Sequence, residues 1–394
     1  MPTHKLSGTN LEHASAHNQR VIFEAVRLHG PVSRAELARL SGLTPQAVAN
    51  IAKRLLTAGL VVESGRRQGQ RGQPAIELEL DPDGGYSLGV NLDRDHMTIV
   101  AIDVGGAVRG CIHHEVSTAQ PAMCLALIEA AMAEFLERRI VQPDRLLGLG
   151  VAMPDELGQL ALPDLPEGFA AWRDFDLRAA LAERTGLQVV VENDATAAAI
   201  GEIHYGHGTD HRNFFYILFS AGLGGGLVVN GQLVRGAHGR SGEIGFLPLG
   251  ADRDGTSLQD AVSLSALLHH LRAAGHPVQG AGDLAALGPA AEGLLRDWLE
   301  TAADRLLGPI AAIACLCDPH AILLGGRLPA PHLDRLAAAI VGRLERLRPR
   351  LPAMPAVRRA AGSTDAAALG AATLPLSEAI LPHPGALMKR RLQA

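Results

Sequence analysis

The chain has 394 residues, 47% of them hydrophobic, and a formal net charge of −5 at pH 7. That length is enough for two or three domains with substantial cores. No uninterrupted apolar run approaches the roughly 18 residues a membrane span needs, so a soluble, cytoplasmic protein without a membrane partner is expected. The four cysteines, Cys111, Cys124, Cys315 and Cys317, lack the C-x2-C spacing of a metal site. Cys315 and Cys317 lie in an apolar run and read as buried thiols.

Charge is uneven along the chain. Residues 1–80 carry ten Lys+Arg against six Asp+Glu, and the remainder is net −9, which predicts that only the first part meets a polyanion. Residues 1–19 lack an apolar core of signal-peptide type and read as a short disordered lead-in. Helical spacing from Arg20 to Leu28 stops at His29-Gly30-Pro31. A second helix opens at Ser33, with Glu36 three residues on as a capping box, and ends at Gly42. Thr44-Pro45 opens a third, Thr44 as N-cap and Pro45 where its missing N–H is harmless. Val48, Ile51, Leu55 and Leu56 form its inner stripe, leaving Gln46, Ala47, Asn50, Lys53 and Arg54 facing out.

Two helices joined by a Gly-containing turn, the second with exposed polar and basic side chains, form a helix-turn-helix pattern. Residues 58–63 and 75–80 read as two wing strands. Between them the tip Ser64–Pro74 carries Arg66, Arg67 and Arg71 with no apolar residue, so it suits phosphates or a minor groove. The assigned module is 20–81, a winged helix-turn-helix. Its Gln46 and Asn50 are the candidate base readers, and Lys53, Arg54, Arg66, Arg67 and Arg71 serve mainly phosphates, with Thr44 at the helix entry.

After the polar break at residues 81–85, the runs 86–92, 97–103 and 109–115 alternate like strands. Val104-Gly105-Gly106 reads as a hairpin turn rather than a phosphate loop. A helix is expected over residues 122–138, a strand over 146–152 ending at Met153-Pro154-Asp155, a loop through Leu162-Pro163-Asp164-Leu165, and a helix over 177–185. The strand 188–191 then delivers Glu192-Asn193-Asp194 to its carboxyl end, before an Ala-rich helix. That junction is where open α/β sheets bind ligands. A strand over 214–220 stops at a Gly-rich loop, residues 221–226, and Leu227–Val229 resumes before Asn230-Gly231, a strong hairpin signal. Gly236–Glu243 (GAHGRSGE) is a second Gly-rich loop, ending in a carboxylate. An amide and carboxylates on loops free of bulk suit a polyhydroxylated small molecule. Long helices are expected over 258–271 and 290–317, a strand over 321–324 ending in Gly325-Gly326-Arg327, and an Ala-rich helix over 366–373.

The order of these motifs, with VENDATAAAIGE from Val191 and SAGLGGGLVVNGQLVRGAHGRSGEIG from Ser220 as its specific segments, resembles the ROK family of bacterial repressors and sugar kinases. The resemblance implies an α/β fold of two actin-like lobes around a cleft. The first lobe would span 86–194 with a returning helix near 364–380, and the second 195–362 with the dimerisation surface. In the family's kinases the Asp matching Asp194 is the base for the sugar hydroxyl, and Asn193 and Glu243 match sugar-contacting positions. Asp164 and Gln259 complete the candidate ligand set.

Two departures favour a regulator. Where the kinases carry D-x-G-G-T, this chain has Asn91-Leu92-Asp93-Arg94-Asp95-His96, whose carboxylates oppose a triphosphate. The family's zinc motif, E-x-G-H followed by a cysteine cluster, is replaced by Glu243-Ile244-Gly245-Phe246 and a cysteine-free stretch over 251–260. The expectation is therefore a DNA-binding regulator, acting as a repressor, without cofactor, metal or kinase activity. Its partners would be a pseudo-palindromic operator in double-stranded DNA, a sugar-like effector and further copies of itself as a homodimer or homotetramer. The alternative is a sugar kinase carrying a DNA-binding domain.

Overall fold

The computed structural model describes residues 11–67, 75–94, 96–116, 119–155, 171–249, 256–362 and 365–382. The N-terminal head is built from α1 (Leu11–His29), β1 (Val32–Ser33), α2 (Arg34–Ser41), α3 (Pro45–Thr57), β2 (Val61–Arg67) and β3 (Ala75–Leu80). Its strands form an antiparallel sheet in the order β1-β3-β2.

Local rules explain most of the head. The Ser33 hydroxyl accepts from Glu36 N at 3.3 Å, and the Glu36 carboxylate pairs with Arg39, so Ser33 caps α2 while Glu36 is engaged along the helix. Gly42, at φ +69°, closes α2 in the left-handed conformation that glycine adopts without strain. The Thr44 hydroxyl accepts from Ala47 N at 3.3 Å to cap α3.

Two expectations fail here. Residues 11–19 are helical rather than disordered, because the helix that begins at Leu11 lies half-buried along the head and its Ser15 hydroxyl accepts from Arg54 at 3.2 Å. Residues 58–60 are not strand but the turn that closes α3. Gly59 N donates to Leu56 O and Leu60 N to Leu55 O, with Gly59 at φ +70°, a Schellman closure. The first hairpin strand therefore starts at Val61 and runs through Arg66 and Arg67.

The body repeats one plan twice. In the first sheet, β4 (Tyr86–Leu92), β5 (His96–Asp103) and β6 (Val108–Glu115) form an antiparallel meander. β7 (Leu146–Met153) pairs parallel with β4, and β8 (Val189–Asn193) pairs parallel with β7, giving β6-β5-β4-β7-β8. In the second, β9 (Phe214–Phe219), β10 (Leu223–Val229) and β11 (Gln232–Leu233) make the meander. β12 (Ala321–Gly326) and β13 (Ala356–Arg359) add in parallel, giving β11-β10-β9-β12-β13. The Asn230-Gly231 turn has both residues at positive φ, 56° and 73°, as a type I′ hairpin requires. The turn after β5 is held by the Asp103 carboxylate, which accepts from Gly105 N and Ala107 N.

Helices cover these sheets. The first lobe carries α4 (Pro121–Glu137) and α5 (Leu177–Thr185). The second carries α7 (Leu258–Val262), α8 (Leu264–Ala273), α9 (Pro289–Cys317) and α10 (Ala330–Leu347). The single helix expected over 258–271 is split at Ser263, whose extended backbone lets its hydroxyl cap α8. Of the cysteines, only Cys124 is buried. Cys315 is exposed and Cys317 half-exposed, because α9 turns that face to solvent.

Between the two sheets run α6 (Asp194–Tyr205) and α11 (Ala366–Ala379), packed against each other, α11 on β4 and β7 and α6 on β10. Their contact is backbone against backbone. A Cβ on Gly370 would be driven into the Ala197 carbonyl oxygen, and one on Gly150 of β7 into that of Ala371. The expected Gly-rich loop at 221–226 is largely strand, since β10 begins at Leu223. Its glycines make room for α6: a Cβ on Gly224 would lie 2.8 Å from that of Ala195, and one on Gly226 2.8 Å from that of Ala199.

Gly370→Ala tests this packing through its sign. In an exposed helix interior the change stabilises by up to about 1 kcal/mol. Here we expect a loss of about 2 kcal/mol or more from overpacking, read as a lower midpoint in urea. A stabilised variant would show that the helices are not in backbone contact.

Candidate functional site

The cleft beside the carboxyl ends of β7 and β8 gathers groups that are distant in sequence. Asn193 and Asp194 stand at the β8–α6 junction, Asp155 follows β7, and Asp93 and Arg94 follow β4. Glu243 and Arg240 come from the loop after β11, and Gln259 comes from α7. The sequence candidates Asn193, Asp194, Glu243 and Gln259 thus share one cleft, while Asp164 lies outside the described residues. Asp155, Arg94 and Arg240 were not among the candidates, and Asp93 was read only as an obstacle to a triphosphate. A usable signal existed for Asp155, because it ends the strand adjacent to β8 at the edge where α/β sheets bind ligands.

Each side chain is placed by a local reason. The Asn193 amide oxygen accepts from Thr196 N at 3.0 Å, so Asn193, not Asp194, is the N-cap of α6. That leaves Asp194 as the first helical residue, its Oδ1 accepting from Ala195 N at 2.7 Å. Asp93 is buried and accepts from Arg94 N at 2.7 Å and from Ala221 N at 3.5 Å, tying the first meander to the end of β9. The Arg240 guanidinium lies 3.5 Å from Glu243 and 5.7 Å from the centre of the half-exposed Phe246 ring.

Four carboxylates therefore share the cleft with two guanidinium groups. Burial, then the nearby Asp93 charge, then Asp155 and Glu243, push the Asp194 carboxyl up to about 7, although the Ala195 N–H favours the charged form. Near neutrality Asp194 can accept or hold a proton, and its neighbours are acceptors. Such carboxylates can accept from a molecule with several donors, and Arg94 and Arg240 can donate to one. Among the described residues lining the cleft there is neither cysteine nor histidine, so they offer zinc no soft ligand.

The head exposes a second candidate surface. Along α3, Val48, Ile51, Ala52 and Leu55 are buried, and Thr44, Gln46, Asn50, Lys53 and Arg54 are exposed. Gln46 Nε2 donates to Asn50 Oδ1 at 3.4 Å, one turn apart. The side chains of Arg66 and Arg67, and all of Arg71, lie outside the described residues.

A connection not foreseen from sequence joins the two surfaces. At the far end of α6, Arg27 of the head donates to His204 O at 3.1 Å, and its guanidinium sits 5.1 Å above the centre of the Tyr205 ring. Glu24 pairs with Arg27 at 2.7 Å. Arg145 of the first lobe donates to Ala58 O at 2.9 Å. The head core, including Ile22, Val26 and Leu78, is continuous with Val100, Ile102, Ala368, Ala372 and Leu376 of the body.

The family model for the ROK family matches residues 87–378. The chain belongs to the ROK family. It is 32% identical to the uncharacterized protein y4fQ of Sinorhizobium fredii, over 82% of this chain and 81% of that one. It is 29% identical to a xylose repressor of Bacillus spizizenii over 59% of this chain, a match spanning only 60% of that repressor. Among solved structures, a ROK family transcriptional regulator homologous to the Escherichia coli MLC protein superposes with a TM-score of 0.68 at 24% identity, covering 93% of this chain and 97% of that one. A Streptomyces griseus ROK glucokinase in complex with glucose and AMPPNP superposes at 0.60 and 24% identity, covering 74% and 99%. Both share the mixed α/β ROK fold. No helix among the described residues is long and apolar enough to cross a membrane.

The raised Asp194 carboxyl makes a pH test with a defined sign. In the unfolded chain the group titrates near 3.8, and in the folded one near 7. The folded state therefore binds the extra proton between those values, and stability contributed by this site falls as pH rises through that window. Asp194→Asn removes the titration while keeping an acceptor for Ala195 N. We expect the variant to gain on the wild type from pH 4 to pH 7, by at most on the order of 4 kcal/mol, and the difference to level off above. A difference independent of pH would show that Asp194 is not a buried, high-titrating acid.

Proposed function

We propose that this chain is a DNA-binding transcriptional regulator acting as a repressor, whose two-lobed body binds a sugar or sugar derivative at Asn193, Asp194, Glu243 and Gln259. Its curated relatives include xylose repressors, which supports the regulator over the kinase. The first lobe adds to that support. The turn after β4 carries the Asp93 carboxylate into the cleft, and the Gly105 and Ala107 amides are already committed to Asp103. Among the described residues, neither turn leaves a row of free amides for a triphosphate.

The observation that carries the reading is the span of α6. Twelve residues make a rod of about 18 Å, with Asp194 in the polar cleft at one end and His204 and Tyr205 under Arg27 of the head at the other. Glu202, buried near that far end, accepts from His207 N at 3.0 Å and Gly362 N at 2.6 Å. Any shift of the rod is therefore felt by the segment leading to α11. An effector that prefers one position of α6 changes how the head is held, and unequal affinity for the two positions is all that the switch requires. On DNA, the α2–turn–α3 unit places Gln46 and Asn50 toward base edges, with Lys53, Arg54, Arg66, Arg67 and Arg71 along phosphates. Two copies would read a pseudo-palindrome.

Lys53→Ala tests the DNA face. It should weaken binding across sequences and lower the slope of log affinity against log salt by about 1, measured by fluorescence anisotropy of a labelled duplex. An unchanged slope removes Lys53 from the interface.

Arg27→Ala tests the linkage. Pentoses, hexoses and N-acetylhexosamines are first screened by thermal shift, since a ligand of the folded state raises the melting temperature. A hit should change wild-type DNA affinity by about 5- to 150-fold, and Arg27→Ala should shrink that change while still binding the hit. Full coupling in the variant would place transmission elsewhere. Sugar-dependent ADP release abolished by Asp194→Asn would assign the chain to the kinases instead.

A further inference from the structure

Away from the polar cleft, one face of β6 carries a different chemistry. Residues 111, 113 and 115 of this edge strand point to the same side and are exposed. Cys111 and His113 are two apart on it. Facing them is Asp365, at the N-terminus of α11, more than 250 positions later in sequence. One donor atom from each of Cys111, His113 and Asp365 lies within 4.8 Å of the others. Cys111 Sγ is 3.3 Å from His113 Nε2, and His113 Nδ1 is 3.6 Å from Asp365 Oδ1 and 3.3 Å from the Thr98 hydroxyl. His113, Thr98 and Asp365 border a cleft of about 370 Å³ between the lobes, together with His96, Glu115 and Arg327.

We propose that Cys111, His113 and Asp365 form a binding site for a divalent transition metal of the zinc type. The donor set decides the class: thiolate with imidazole selects zinc-like ions over magnesium or calcium, which take oxygen ligands alone. Bond lengths near 2.3 Å to sulfur and 2.0–2.2 Å to nitrogen and oxygen place tetrahedral donors roughly 3.5 Å apart. His113 binds one ion through one ring nitrogen only, so with the three donor atoms within 4.8 Å of one another, rotation of the exposed Cys111 and His113 side chains must bring the outlying donor in to that spacing.

Three protein ligands leave a fourth position open to the cleft, and the cavity there has room for water. The ion would join β6 of the first lobe to α11. It would also stand beside the contact across the lobes in which Arg327 Nη2 meets Glu115 Oε1 at 2.9 Å. This site is separate from the sugar cleft and shares no residue with it.

The test uses the full-length protein, stripped by chelator, with Co2+ as a spectroscopic probe and Zn2+ by calorimetry. We expect one ion per chain and a sulfur-to-cobalt charge-transfer band in the near ultraviolet. Cys111→Ser should abolish the band, and the double variant Cys315→Ser, Cys317→Ser should retain it. His113→Ala should weaken Zn2+ binding by at least about tenfold. Because Cys111 and His113 are exposed, neither change threatens folding, and an unchanged melting temperature in the absence of metal checks this. No band, a band that survives Cys111→Ser, or full Zn2+ affinity in His113→Ala would each overturn the assignment.

Discussion

The architecture depends on how closely α6 can approach α11 and β10. Side chains at these contacts are reduced to hydrogen or methyl: Ala195, Ala197, Ala198, Ala199 and Gly201 on one helix, Ala366, Ala367, Gly370 and Ala371 on the other, and Gly224 and Gly226 on the strand. A larger residue at several of these points would meet backbone rather than a side chain able to move aside. The consequence is a rod gripped along its length, whose two ends are therefore rigidly coupled to each other. Interiors packed this closely transmit displacement instead of absorbing it.

Electrostatics at the rod's first end follow from that placement. Bringing the β8–α6 junction into the angle between the sheets buries Asp194 among Asp93, Asp155 and Glu243, with Arg94 and Arg240 as the cations of the cleft. Such an arrangement is unfavourable when empty and charged, and hydroxyl donors relieve it.

The head is joined to the body by more than a linker. Its buried residues continue into the face of β5 and the inner side of α11, and Arg20, Arg27 and Arg145 bridge the junction by bonds to carbonyl oxygens. Guanidinium groups suit this task because their planar donors reach several acceptors at once. A head held in this way has a defined orientation on the body, which a tethered one would not.

What was legible in the sequence was set by neighbours three to five residues apart. The caps at Ser33 and Thr44, the stop at Gly42, the Asn230-Gly231 turn and the delivery of Asn193 and Asp194 to a strand end all rest on backbone groups that must be satisfied locally, so the residues announce them. Tertiary structure decided the rest. Residues 11–19 are helical because Ser15 meets Arg54, and the glycines after Ala221 form strand because α6 lies on them. Asp155 and Arg240 join the cleft, and Cys111 meets Asp365, only when separate strands and helices converge. Those contacts depend on the order of strands in two sheets, which no spacing along the chain encodes.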